Sequence, residues 1–316
     1  MEIEKKSPHH DTFIRIFNSI DFEKINDHPN ILIAANFWDA ERYQAAKTCY
    51  KFMRAIDDLI DDHKANNKRI SEQERELFMS HVNTWILSLS DEGMNDPMHL
   101  ELSETIKRFS IPLWPLEAFA KAMIYDIHFD GFPTMKAFLD YSAGASVAPA
   151  SIFVHLCGLN KVGNNYNPYS FDLKATATPC AIFSYLVHII RDFQKDTNHN
   201  LSYFADDLIK KHGLNRGELK KIANASPVPE GFRKLVKEYY EAAAAYRDQT
   251  LDMIRKVKPG LGPAYQLSLD IIFNLYLLVF EKIDLKKGDF STAALNPTSA
   301  ETKQRVYETI MKFKAE

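Results

Sequence analysis

Two stretches of this chain set aspartates four residues apart inside otherwise apolar helical patterns. The first is Arg54-Ala55-Ile56-Asp57-Asp58-Leu59-Ile60-Asp61-Asp62. The second is His188-Ile189-Ile190-Arg191-Asp192-Phe193-Gln194-Lys195-Asp196. In a helix, residues four apart lie on one face, about 6 Å apart along the axis. Like charges at that spacing destabilise the helix by roughly 0.2–0.5 kcal/mol per pair, and Asp is a poor helix former. One such pair alone reads as a solvated helix end. Two pairs, each following an apolar helix and each beside an arginine, favour two faces opposed across a helical bundle.

The rest of the chain agrees with a bundle, because the helical period dominates. Asn36 to Asp62 reads as one long helix. Ser71 and Glu74 form a capping box that opens a helix to about Ser90, and Asn215 and Glu218 form another. Pro112 and Pro115 open a helix that reaches Phe129, with Gly131 and Pro133 as the stop. Lys136 to Leu159 is helical and unusually apolar. Its part from Ala143 to Ala150 is rich in Ala, Ser and Gly, which suits close helix packing or room beside a ligand. Asn160 to Ser170 reads as a loop. Further helices are expected over about Thr178–Asp196, Pro229–Lys258, Gly262–Ile283 and Ser299–Lys314. The expectation is an all-α fold: one large bundle with a central cavity over residues 28–284. A polar segment and leading helix (1–27) precede it, and a loop and helix (285–316) follow.

With 316 residues, 46% hydrophobic and 26% charged, the chain has ample material for a core. A net charge of −3 and the absence of a long basic block argue against nucleic acid as a partner. Cys49, Cys157 and Cys180 form no CxxC pair, which points to free thiols in a reducing compartment. The first residues, Met1 to Asp11, carry no apolar leader. The longest apolar run, near Leu267 to Phe280, reads as too short and too interrupted to span a bilayer. A cytoplasmic protein without a transmembrane segment is therefore expected, with a peripheral membrane contact open to it if its product is apolar.

The carboxylates suit a hard cation. Mg²⁺ takes oxygen ligands, keeps several waters, and binds through a few carboxylates together with substrate phosphates. Asp57, Asp58, Asp61, Asp192 and Asp196 are the candidate metal ligands. Arg54 and Arg191 offer planar forks of donors suited to phosphate oxygens. Balancing the aspartates is an equal reading of both arginines.

These residues resemble the squalene/phytoene synthase family, whose fold is the all-helical isoprenoid synthase bundle. Arg54-Ala-Ile-Asp57-Asp58-Leu-Ile-Asp61 is similar to its first aspartate-rich motif, and Ile189-Ile190-Arg191-Asp192 with Asp196 to its second. Tyr203-Phe204 follows at the family's tyrosine spacing. Tyr141 heads the small-residue stretch Ser142 to Ala150, which looks like the family's central helix. Tyr276 lies where the family carries a late helix tyrosine. The resemblance spans roughly His28 to Ile283. It departs at two positions: His188 stands where the family commonly has Asn, and Leu201 where it often has Arg.

The resemblance implies an enzyme that joins two allylic prenyl diphosphates head to head. Magnesium, more than one ion, would assist diphosphate departure, and the allylic cation would be attacked by the second substrate to give a cyclopropyl intermediate. Squalene, dehydrosqualene and phytoene are the product types, and NADPH enters only for squalene. Tyr141, Tyr203 and Tyr276 gain a role in steadying a cation by their ring faces, beside a simple packing role. His188 is expected to donate a hydrogen bond to a diphosphate or to orient Asp192, with packing between helices as the plainer role. Two other readings stand beside this one: a terpene cyclase of the same fold acting on one diphosphate, and a non-catalytic relative serving as a binding or assembly factor. Substrate length (C15 or C20) and oligomeric state are not readable from the sequence.

Overall fold

The computed structural model describes residues 9–27, 30–66, 70–89, 97–224 and 227–316. The polar start of the chain (1–8), the expected domain edge at 28 and the expected helix end at Ser90 lie outside them.

The described chain is helical almost throughout. In order it forms α1 (His10–Ser19), α2 (Asn30–Ala35), α3 (Ala40–Asn66), α4 (Glu72–Ser88), α5 (Pro97–Phe109), α6 (Trp114–His128), α7 (Met135–Ser142), α8 (Ala148–Gly158), α9 (Leu173–Asn198), α10 (Asp206–Lys211), α11 (Arg216–Ile222), α12 (Glu230–Val257), α13 (Pro263–Lys282), α14 (Thr292–Leu295) and α15 (Ser299–Lys312). The starts are chemically specified. Ser71, Asn215 and Thr298 each accept from the backbone three residues on, and Glu74, Glu218 and Glu301 return the bond. Such reciprocal caps satisfy donors that the first helical turn leaves open. Asp172 caps α9 through Ala175 N at 2.7 Å.

Three expectations need correction. Asn36 to Asp62 is not one helix. The chain turns between α2 and α3, where the Asn36 side chain bonds back to Leu32 O at 2.8 Å and Asp39 accepts from Arg42 N at 3.1 Å. Asp39 thus begins a new helix. Asn160 to Ser170 is not all loop. It contains a hairpin, β1 (Asn160–Val162) against β2 (Asn165–Asn167), turning at Gly163 with φ +61°. Glu41 fastens it, receiving Lys161 and Tyr166 at 2.8 Å each and Arg108 at 2.9 Å. The Lys161 hydrogen bond above all, with those of Tyr166 and Arg108, holds the Glu41 carboxyl down at about 2. Third, three stretches are long and apolar enough to cross a membrane by length and composition: Met135–Gly158, Leu173–Asn198 and Pro263–Lys282. In the fold 56–61% of an apolar 18-residue window in each is buried inside the bundle.

The core runs through the whole described chain. α9 packs along α12, against α8 and against α13. Phe193, Phe204, Phe232 and Tyr239 fill the α9–α12 seam. α13 is covered on its far side by α15, which also receives α1, and Phe13 meets Phe313 at 5.7 Å. Between α7 and α8 the helix widens into a π turn, Ala143–Val147. Gly144 there lies so close to α6 that an added Cβ would sit 2.4 Å from Ala118 O. The small residues expected to permit close packing therefore do so. Ser146 Oγ ties the turn to α9 by donating to Ala181 O at 2.9 Å.

Candidate active site

α3 and α9 present their acidic faces to one cavity of about 570 Å³. From α3 come Arg54, Asp57, Asp58, Asp61 and Asp62. From α9 come His188, Asp192, Lys195 and Asp196, with His199 just past its end. The remaining wall is largely apolar, including Phe119, Ile152, Phe153, Leu269 and Ile272 from α6, α8 and α13. Tyr141, Tyr203 and Tyr276 also line it. The structure thus brings together every residue singled out in the sequence except Arg191, which is absent from the cavity lining.

The aspartates fall into two groups. Asp57, Asp58 and Asp192 have cationic partners. Arg54 meets Asp57 at 2.5 Å and also pairs with Asp58. Arg191 donates through both arms of its guanidinium to Asp192, at 2.7 and 2.8 Å, and His188 Nε2 lies 2.5 Å from the same carboxylate. Burial alone would raise the Asp192 carboxyl, but His188 and Arg191 outweigh it and hold it well below the usual range. Asp61 and Asp196 have no hydrogen-bonded or ion-paired side-chain partner among the described residues. Burial pushes Asp61 up to about 8, and the charges of Asp57, Asp126 and Asp196 add to it. Burial, then Asp192, pushes Asp196 to about 7. Asp57 is also raised, by burial, against the pull of Arg54 and of His188 on the facing helix.

The donor set fits magnesium. It is all oxygen, it confronts like charges across the cavity, and two of its carboxylates lack a cation. Among the described residues no three Asp, Glu, His or Cys close into a metal cluster by themselves.

Several cavity groups escaped the sequence reading. Tyr185, Lys195 and His199 share the helical face of His188, Asp192 and Asp196, so extending that face in both directions would have found them. Behind the lining, Asp126 on α6 accepts the Tyr141 hydroxyl at 2.6 Å. Burial raises it to about 7, partly offset by Lys64 and that hydrogen bond. A carboxylate late in an apolar helix was the available signal. Tyr141, Tyr185 and Tyr203 form one ring cluster, with centroids 6.4 and 6.2 Å apart in sequence. Burial raises the hydroxyls of all three well above the ordinary tyrosine value, and that of Tyr276 to about 12.

The all-α bundle, with paired aspartate faces over a largely apolar cavity, has the isoprenoid synthase fold. Comparison with known structures agrees. A dehydrosqualene synthase determined with a ligand superposes with a TM-score of 0.68 at 16% identity, over 97% of this chain and 100% of that one. Squalene synthase HpnC from Alicyclobacillus acidocaldarius gives 0.63 at 12% identity, over 95% and 94%. YisP from Bacillus subtilis subsp. subtilis strain 168 gives 0.60 at 15% identity, over 96% and 100%. Among curated proteins none matches the sequence. Residues 28–302 match the squalene/phytoene synthase family. The chain belongs to that family and is a prenyl-transferring enzyme of the head-to-head isoprenoid synthase type.

Proposed function

We propose that this enzyme condenses two allylic prenyl diphosphates, farnesyl or geranylgeranyl, head to head. The observation that carries the reading is the confrontation of Asp61 on α3 with Asp196 on α9 at a largely apolar cavity. Magnesium, when bound, supplies positive charge that stabilises the departing diphosphate. Asp61 and Asp196 would hold it, with Asp57, Asp58 and Asp192 beside them. His188 and Arg191 fix the orientation of Asp192 by taking both of its oxygens. The apolar wall keeps water from an allylic cation. The tyrosine cluster lines the same space, and an aromatic face attracts a cation.

The test is product analysis with isotopically labelled farnesyl or geranylgeranyl diphosphate, with Mg²⁺ or EDTA, and with or without NADPH. The expected result is Mg²⁺-dependent diphosphate release and a C30 or C40 product built from two substrates. Asp61→Ala should lower kcat on the order of 10²-fold or more. A C15 or C20 product from one substrate would make the enzyme a terpene cyclase. No turnover of either substrate with Mg²⁺ would leave a binding role.

A further inference from the structure

A prenyl diphosphate brings several negative charges to a cavity already crowded with carboxylates. Direct protein contacts to it need cationic or donor side chains that are not already engaged. Arg54 is engaged by Asp57 and Asp58, and His188 by Asp192. Arg191 lies behind Asp192 and gives it both donors. Lys64 donates to Phe129 O at 2.9 Å and is no part of the lining. Two groups remain. Lys195 and His199 both line the cavity, and neither side chain has a hydrogen-bonded or ion-paired partner among the described residues.

Their placement is ordered. Residues 192, 195, 196 and 199 follow the i, i+3, i+4, i+7 spacing of a single helix face. The two free donors therefore flank Asp196, the carboxylate of α9 that lacks a cation. Leu201 continues the same wall and brings no charge. We propose that Lys195 and His199 are the diphosphate-binding pair on the α9 side of the cavity, taking phosphate oxygens of a prenyl diphosphate whose metal sits at Asp196. This rests on the prenyl diphosphate reading above. Lysine binds phosphate as a point charge, and a histidine N–H donates to a phosphate oxygen. A competing role exists, since cations near a helix C-terminus are favoured by the helix dipole. That role acts on the stability of α9 and leaves ligand affinity alone.

The experiment is calorimetric titration with unreactive farnesyl thiodiphosphate in Mg²⁺, together with melting temperatures. It compares wild type, Lys195→Gln, His199→Gln, Lys195→Arg and Lys210→Gln, the last an exposed lysine of α10 outside the cavity. Lys195→Gln and His199→Gln should each raise Kd about tenfold, as for loss of a hydrogen bond to a charged group. Lys195→Arg should stay near wild type, because a guanidinium also serves phosphate. Lys210→Gln should leave Kd unchanged. A Kd within about twofold of wild type in both glutamine variants overturns the proposal. So does a melting temperature that falls while Kd holds, or an equal loss in Lys210→Gln, which would mean binding by overall charge. If the wild type takes up no thiodiphosphate in Mg²⁺, the proposed function fails and this proposal with it. Binding by the wild type with unaffected variants sinks this proposal alone.

Discussion

Asp126 was not singled out in the sequence, although Asp130 stands four residues on, yet it holds the Tyr141 hydroxyl at 2.6 Å. Its folded carboxyl, raised by burial to about 7, keeps a proton that the unfolded chain gives up near 4. Unfolding therefore releases that proton between those limits. Asp126 lowers stability progressively as pH rises from about 4 to 7, and no further above that. Asp126→Asn removes the term. In EDTA, its melting temperature should gain on wild type by about 2 °C or more between pH 5 and 7.5. A constant difference across that range would deny the shift. Residues such as Asp57, Asp61, Asp192 and Asp196 are legible in the sequence because the helical period turns spacing into a shared face. The Tyr141–Asp126 contact joins α7 to α6 across the bundle, and no local spacing encodes it. His188 lay between. Its turn before Asp192 was readable, and the bond to Asp192 that the fold reveals was one of its three expected roles.

At the scale of elements, what is written in caps was readable and what depends on packing was not. The boxes at Ser71 and Asn215 open α4 and α11 as expected. The break before α3 was missed because apolar residues continue through it, while the signal was two isolated polar residues, Asn36 and Asp39. The π turn had no signal beyond small residues. Its value lies in the approach of Gly144 to α6, where a Cβ would fall 2.4 Å from a backbone oxygen and 2.8 Å from Ala122 Cβ. Gly144→Ala should therefore destabilise the protein by roughly 1–3 kcal/mol, the usual effect of overpacking. Denaturant unfolding measures it. A variant as stable as wild type would mean that α6 moves away freely.

For the molecule as a whole, α9 and α13 are apolar along much of their length because each serves both the core and the cavity wall. More than half of each window that resembles a membrane span by composition is buried inside the fold here. A cavity with an apolar wall and an acidic face should bind a prenyl chain weakly until the charges of its head are met. Farnesyl thiodiphosphate should raise the melting temperature in Mg²⁺ and do little in EDTA. At a hundredfold excess over Kd the stabilisation is about 2.7 kcal/mol. An equal shift in EDTA would count against metal-assisted binding.

The two acidic helices are distant in the chain. Asn200, beyond the end of α9, donates to Lys64 O near the end of α3 at 3.4 Å, across 136 residues. Closing a loop of that length costs entropy before any contact repays it, and here the groups that meet repel one another. Apart from the pull of His188 on Asp57, the acidic faces therefore oppose their own encounter. The hydrophobic seams of α6, α8, α12 and α13 are expected to draw the walls together first, with the site among the last parts of the fold to assemble. During synthesis, a chain that has emerged only as far as α8 holds the first aspartate cluster with nothing opposite it.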